Sequence, residues 1–398
     1  MIYGERMTLS SHGFTGLAWS LLLGMVLAVV PVTQAAADPA VRVGVAIPCA
    51  GPGAASGDMI AKGLRLWEKT VNAKGGILGR PVELVLLDDH EDPAMAATEY
   101  ERLLAGKQAD LVIGPLGKPM ASACLPVLAK AGMPCLLWGF LPDSLWAANP
   151  GLAFGLLPPL CETPMAFLEM AAQARLKRFA TLGLNLPKGQ TVLESSAKWI
   201  KRYGGDVAMQ AETAGPDLPS ILERMKNQDV DGILAWGYPD GCLRLVQALR
   251  TMKLKLRALD VLALDAPEAF YQSLGQEADG VFTTVAWDAS VAKAYPGGRE
   301  FAAAFRSAYG QEPDQFAAQA FAAGQLLEAA GAKAQSFDRG KIRQALADLD
   351  VQTIIGHYGV DQAGRQIRQT PLTIQWQNGQ WRVVWPRDIG TASPVFGK

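Results

Sequence analysis

One run of side chains in this chain is dense in groups that could do chemistry. Asp88-Asp89-His90-Glu91-Asp92 sets four carboxylates and an imidazole in five consecutive residues. Such groups can hold a divalent cation or exchange protons. Neighbours in a loop point in different directions, however, and do not converge on one ion. The plainer reading is a solvated strand end with His90 at the surface. Only three histidines occur (His12, His90 and His357), too few for a His-rich metal site. The five cysteines are Cys49, Cys124, Cys135, Cys161 and Cys242, with no CxxC spacing among them, so neither a zinc knuckle nor a thioredoxin-type pair is supported. No GxSxG elbow and no GxxxxGK[ST] phosphate loop is present. The sequence therefore supports no catalytic residue, no metal and no cofactor, and argues against an enzyme.

The elements that would position any site alternate between strand and helix. Residues 41–47 form a short apolar run, followed by a Gly- and Pro-rich loop at 48–57. A helix follows, with Met59, Leu64, Leu66, Trp67 and Val71 as candidates for its inner face. Gly75-Gly76 stops it, since paired glycines accept the positive φ of a helix end. A second β-run at 82–87 completes a β-α-β unit. The same order repeats through strands near 111–113, 133–137, 154–157, 178–184, 206–210, 232–236, 258–263 and 280–284, with helices between most of them. This is the pattern of an α/β fold with parallel sheets flanked by helices. Two such sheets give two Rossmann-like lobes, and the cleft between them is the natural ligand site. The last third breaks the rhythm with Ala-rich helices at 298–309 and 315–331, and another at 341–349. Closing strands follow, and Asn378-Gly379 between apolar runs signals a hairpin.

The 398 residues suggest two or three domains, and a net charge of −1 implies no nucleic acid or acidic membrane as partner. Residues 1–37 read as a cleaved export signal. Arg6 supplies the charge, 17–32 the apolar run, and Ala35-Ala36-Ala37 the small-residue cleavage site. The mature protein is expected in the periplasm. An exported chain can keep disulfides, and Cys124 with Cys135 is the pair the spacing favours. The odd cysteine count leaves at least one thiol unpaired or bonded to another chain, and five small buried hydrophobes is the competing reading.

Three motifs fall in order: GPGAASGDM, VNAKGGILGRPVEL and DDHEDP. Together they resemble the opening of the branched-chain amino acid (leucine-binding) type of type I periplasmic solute-binding proteins of ABC transporters. FAAAFRSAYGQEPDQFAAQAFAAGQLLEAA, TIIGHYGVDQAGRQ and LTIQWQNGQWRVVWP resemble the late helices and closing strands of that family. The likeness implies two lobes hinged by three crossover segments. It assigns 38–156 plus 288–340 to lobe one and 157–287 plus 341–398 to lobe two. It also implies hinge closure on a small-molecule ligand, with a membrane permease or transporter complex as partner.

In that family, small hydroxyl residues and backbone groups clamp a free amino acid. Matched residue by residue, those hydroxyls are missing here. The first clamp loop reads Gly117-Lys118-Pro119-Met120, and the second reads Leu137-Trp138-Gly139-Phe140-Leu141. Ser56 replaces an aromatic of the opening loop, Lys188-Gly189 replaces a Tyr-Gly, and Asp265 is the surviving acidic position. Cys49, Gly51 and Gly53 stand in the loop after the first strand, where glycine lets backbone approach a ligand. Trp236, Tyr238 and Trp287 stand at strand ends or just beyond, placed to face Trp138 and Phe140, or to serve only as packing between lobes. A carboxylate taken out of water needs charge-assisted donors. Aromatic walls instead favour a bulky, largely apolar ligand: a sterol- or terpenoid-like lipid, or an aromatic compound. The alternatives that use the same cleft are an amino-acid or amide importer component, a ligand-presenting receptor for a sensor kinase, and a periplasmic lipid carrier.

Overall fold

The computed structural model describes residues 39–397, apart from 187–191, 265–269 and 271–272. The export signal, Lys188 and Asp265 lie outside the described residues. The first sheet holds β1 (Val41–Ile47), β2 (Val82–Asp88), β3 (Leu111–Ile113), β4 (Cys135–Leu137) and β5 (Ala153–Gly155), all parallel, in the order β2-β1-β3-β4-β5. The order reverses at β1, which opens a crevice beyond the carboxyl ends of β1 and β3. Helices α1 (Ala54–Asn72), α2 (Pro93–Ala105), α3 (Lys118–Lys130) and the short α4 (Ser144–Ala148) connect these strands.

The second sheet holds β6 (Arg178–Leu184), β7 (Asp206–Thr213), β8 (Gly232–Gly237), β9 (Ala258–Ala263) and β10 (Val281–Val285) in parallel. Its helices are α5 (Pro164–Gln173), α6 (Val192–Arg202), α7 (Leu218–Lys226) and α8 (Pro239–Met252). The chain then returns to the first sheet through α9 (Gly298–Tyr309), α10 (Gln315–Ala334) and α11 (Arg339–Ala347). A two-strand ribbon follows, β11 (Val351–Thr353) with β12 (Gly356–Tyr358). Finally β13 (Leu372–Gln377) and β14 (Gln380–Trp385) join the second sheet antiparallel, giving the order β14-β13-β10-β9-β8-β6-β7. Asn378 and Gly379 both take positive φ (53° and 75°), the geometry that matches a two-residue hairpin to strand twist.

The first lobe packs α1 and α10 over one face of its sheet. Trp67, Leu64 and Ile60 of α1 are fully buried, and α10 meets them with alanines and Phe321. The helices approach so closely that a methyl on Gly63 would lie 2.3 Å from the Ala317 carbonyl oxygen, and one on Gly324 would lie 2.1 Å from the Trp67 ring. Asp314 caps α10 by accepting from the backbone N–H groups of Phe316 and Ala317. One boundary differs from the expectation. Ile342, Leu346, Ile354 and Tyr358 share the first lobe's core, although the family likeness assigns 341–398 to lobe two. The reason is that α11 packs on α10, and only β13 and β14 extend the second sheet.

Candidate functional site

Between the lobes lies a cleft with about 570 Å³ of atom-free space, part of it open to solvent. The first lobe supplies Leu116 and Gly117 after β3, then Trp138, Gly139, Phe140 and Leu141 after β4. Gln315, Phe316 and Gln319 come from the first turns of α10. The second lobe supplies Leu262, Ala263 and Leu264 at the end of β9, with Thr284 of β10. No charged side chain is among these described lining residues.

The wall is fixed by its own hydrogen bonds. The Trp138 indole N–H donates to the Gly114 carbonyl, so its ring is oriented and its polar edge is satisfied. Gly139 takes φ 72°, and its N–H donates to Gln319 Oε1 at 2.9 Å. Gln315 Oε1 accepts from the Ala286 N–H at 3.0 Å, which ties α10 to the strand returning from lobe two. Thr284 Oγ1 donates to the Thr163 carbonyl at 3.2 Å. Phe140 is half-buried and packs against the cores of both lobes. Beyond Gly117, α3 begins without a side-chain cap; half-buried Lys118 starts this helix, and Pro119, its second residue, has no N–H, so the backbone donors of its first turn are those of Lys118 and Met120.

The structure thus brings Trp138, Gly139, Phe140 and Leu141 into one wall, with Lys118 and Pro119 next to it at the start of α3. Other predicted residues sit elsewhere. Cys49 and Gly51 are exposed in the loop after β1, where Glu91 packs over Gly51 and Gly53. Ser56 is buried within the first turn of α1, because that helix starts at Ala54 rather than after the loop at 57. Trp236 is buried in the second lobe's core beside Phe167, Phe282 and Trp385. Tyr238 precedes α8 and does not line the cleft. Trp287 packs edge-on against Phe301 in the first lobe's core, ring centroids 5.7 Å apart.

The acidic run resolves into separate local roles. Asp88 Oδ1 accepts from the N–H groups of Cys49 and His90, and these bonds to the charged form hold its carboxyl below the usual range. Asp89 is buried, which pushes its carboxyl up. Asp92 caps α2 through the Met95 N–H at 2.8 Å. Among the described residues no three His, Cys, Asp or Glu side chains gather as a metal site. The expected disulfide is absent: all five cysteines are free, and Cys124 and Cys135 pack as thiols in one apolar core. Burial pushes the Cys124 thiol up to about 12 and Cys135 further still.

Leu116, Leu157, Gln315, Phe316, Gln319, Thr284 and the end of β9 are lining residues that sequence reasoning misses. A signal existed for two of them. Gln315 and Gln319 are four residues apart, one helical turn, in a first half of the helix whose other residues to Gly324 are phenylalanine, alanine and glycine.

Residues 40–380 match the family model described as "Periplasmic binding protein". Leu/Ile/Val-binding protein homolog 7 of Brucella abortus is 24% identical over 385 residues, covering 89% of this chain and 94% of that protein. Leu/Ile/Val-binding protein BraC3 of Rhizobium johnstonii is 28% identical over 353 residues, covering 85% and 92%. Among solved structures, LivJ of Streptococcus pneumoniae in complex with isoleucine superposes with a TM-score of 0.71 at 22% identity, covering 90% of this chain and 100% of that one. An ABC-transporter solute-binding protein of R. palustris in complex with benzoate gives 0.69 at 22% identity, covering 90% and 97%.

Proposed function

The chain belongs to the periplasmic binding protein family, in its type I branched-chain amino acid branch, and from that premise we propose that its cleft captures a compact aromatic carboxylate for an ABC-transporter permease. The observation that carries this reading is the aromatic wall of Trp138, Phe140 and Phe316. A zwitterionic amino acid needs an anion for its ammonium group as well as donors for its carboxylate. An aromatic acid asks for less. Its ring lies against apolar walls, and each aromatic contact buries up to about 150–250 Å². Its carboxylate takes the Lys118 and Met120 N–H groups at the start of α3, where the helix dipole and Lys118 favour negative charge.

The R. palustris neighbour holds benzoate and the LivJ neighbour isoleucine, so this fold takes ligands of both kinds. Closure is a hinge motion, because the walls come from both lobes and a bound ligand contacts both. Export to the periplasm follows the family and the sequence of residues 1–37.

Tryptophan fluorescence of the delipidated mature protein tests this reading, with titrations of benzoate, leucine and cholesterol. Saturable quenching by benzoate in the micromolar range, weakened in Phe140→Ala, is the expected result. Tight leucine binding without a benzoate response would return the protein to the amino-acid binders that its curated relatives are named for.

A further inference from the structure

Half of the Gln319 amide has no partner in the fold. Gln319 lies in the second turn of α10 and lines the cleft, yet it is only 2% exposed. Its Oε1 accepts from the Gly139 N–H at 2.9 Å. A backbone N–H can be met only by the oxygen of an amide, so this bond fixes which end of the group is which. Nε2 then carries two N–H donors, and neither meets an acceptor among the described residues. Nor is Nε2 one of the side-chain atoms closed off from solvent without a partner. The little surface that Gln319 keeps thus includes its donor end, and the open space it borders is the cleft.

Trp138, Phe140 and Phe316 line the same space, so this donor stands among aromatic rings. Solvent satisfies such a donor while a cleft is open. Once a ligand displaces the solvent, the donor either meets an oxygen of the ligand or stays unpaired, and the second outcome costs binding. We propose that Gln319 is a specificity-determining residue whose Nε2 donates to an acceptor oxygen on the ligand's ring, away from its carboxylate. The inference rests on the reading of the cleft as an aromatic-acid site and narrows it to acids with an alkoxy or carbonyl oxygen on the ring. Two different strand ends supply the two anchors. The carboxylate site opens α3, which follows β3, whereas Gln319 holds the turn after β4, the neighbouring strand. Neighbouring strands run about 5 Å apart, so one substituted ring reaches both.

Methoxy and ethyl substituents match in shape, but only the first offers an acceptor, so the pair isolates this hydrogen bond. Calorimetric titration of the mature protein measures benzoate, 3- and 4-methoxybenzoate, and 3- and 4-ethylbenzoate, at about pH 8, where a glutamate is ionised. The methoxy acid should bind about tenfold more tightly than its ethyl partner at one ring position or both. Gln319→Glu keeps an acceptor for Gly139 and replaces the donor with a second oxygen. Gln319→Met keeps the length of the side chain and removes the donor. In each, the methoxy preference should fall to within about twofold of unity, even where every acid binds more weakly. Benzoate binding with no methoxy preference in the unaltered protein overturns the inference and leaves the aromatic-acid reading standing. A preference that persists in either variant also overturns it, since another group then reads the oxygen. If no acid of the series binds, the aromatic-acid reading falls and this inference falls with it.

Discussion

Trp138 and Trp236 occupy comparable places in the two lobes. Each stands at the carboxyl end of a parallel strand, and each is 1% exposed. Yet Trp138 forms part of the cleft wall and Trp236 does not. The difference is one of ladder position. Trp236 still pairs within the sheet, opposite Gly183 and Leu262, so its side chain stands perpendicular to the sheet and goes into the core with Phe167 and Phe282. Trp138 follows the last residue of β4, where the strand has ended, and its indole is turned to the Gly114 carbonyl at the mouth of the cleft. Low exposure alone does not separate a ligand wall from a core. What lies on the far side of the ring does.

The largest expected effect tests the core half of that contrast. Trp236→Ala should cost about 3–5 kcal/mol of stability by urea unfolding, while ligand affinity stays within about threefold. A variant that kept its stability and lost its ligand would break the comparison. Next comes the buried acid on the same sheet. Asp260 lies in β9 with Oδ1 unpartnered, and desolvation raises its carboxyl from 3.8 to about 8. The folded protein therefore holds a proton there that the unfolded chain releases above 3.8. Raising pH favours the state that binds fewer protons, so stability should fall as pH rises toward 8, by about 1.4 kcal/mol per unit. Between pH 5 and 7 the loss should be about 3 kcal/mol, absent in Asp260→Asn, as read from unfolding midpoints.

Two smaller effects sharpen the cleft half. Phe140→Ala should weaken ligand binding about 10- to 100-fold, or roughly 1.4–2.8 kcal/mol, and destabilise less than Trp236→Ala. Calorimetric titration with benzoate measures the first and urea unfolding the second. Gln319→Leu leaves the Gly139 N–H without its acceptor and should cost about 1 kcal/mol of stability. If it costs nothing, Gly139 has found another partner and the wall is less fixed than its hydrogen bonds imply.

The same contrast explains what the sequence could reveal. The β-α-β opening, the second sheet and the Asn378-Gly379 hairpin were legible because they depend on local apolar periodicity and turn chemistry. Trp138 and Phe140 were legible as departures from a family loop. Trp236 and Trp287 were not placed, because strands such as β8 are buried on both faces and their apolar runs carry no mark of which face meets a cleft. The start of α1 at Ala54 took Ser56 out of the loop for a similar reason. Nothing in Ala54-Ala55-Ser56 fixes a helix start, and Gly53 caps the helix without a side-chain bond. The interlobe residues Gln315, Phe316 and Thr284 depend on how two sheets meet, which no single stretch of chain encodes.

The close seam between α1 and α10 bears on how this protein can diverge. Gly63 lies opposite Ala317, in the same turn of α10 as Gln315, Phe316 and Gln319. A single added methyl at Gly63 has no room and must displace that turn, with the amide that holds Gly139 and the ring that lines the cleft. Changes of ligand preference can therefore arise in the buried seam between α1 and α10, at a position that is not among the described lining residues of the cleft. A search for specificity variants confined to the visible walls would pass over it.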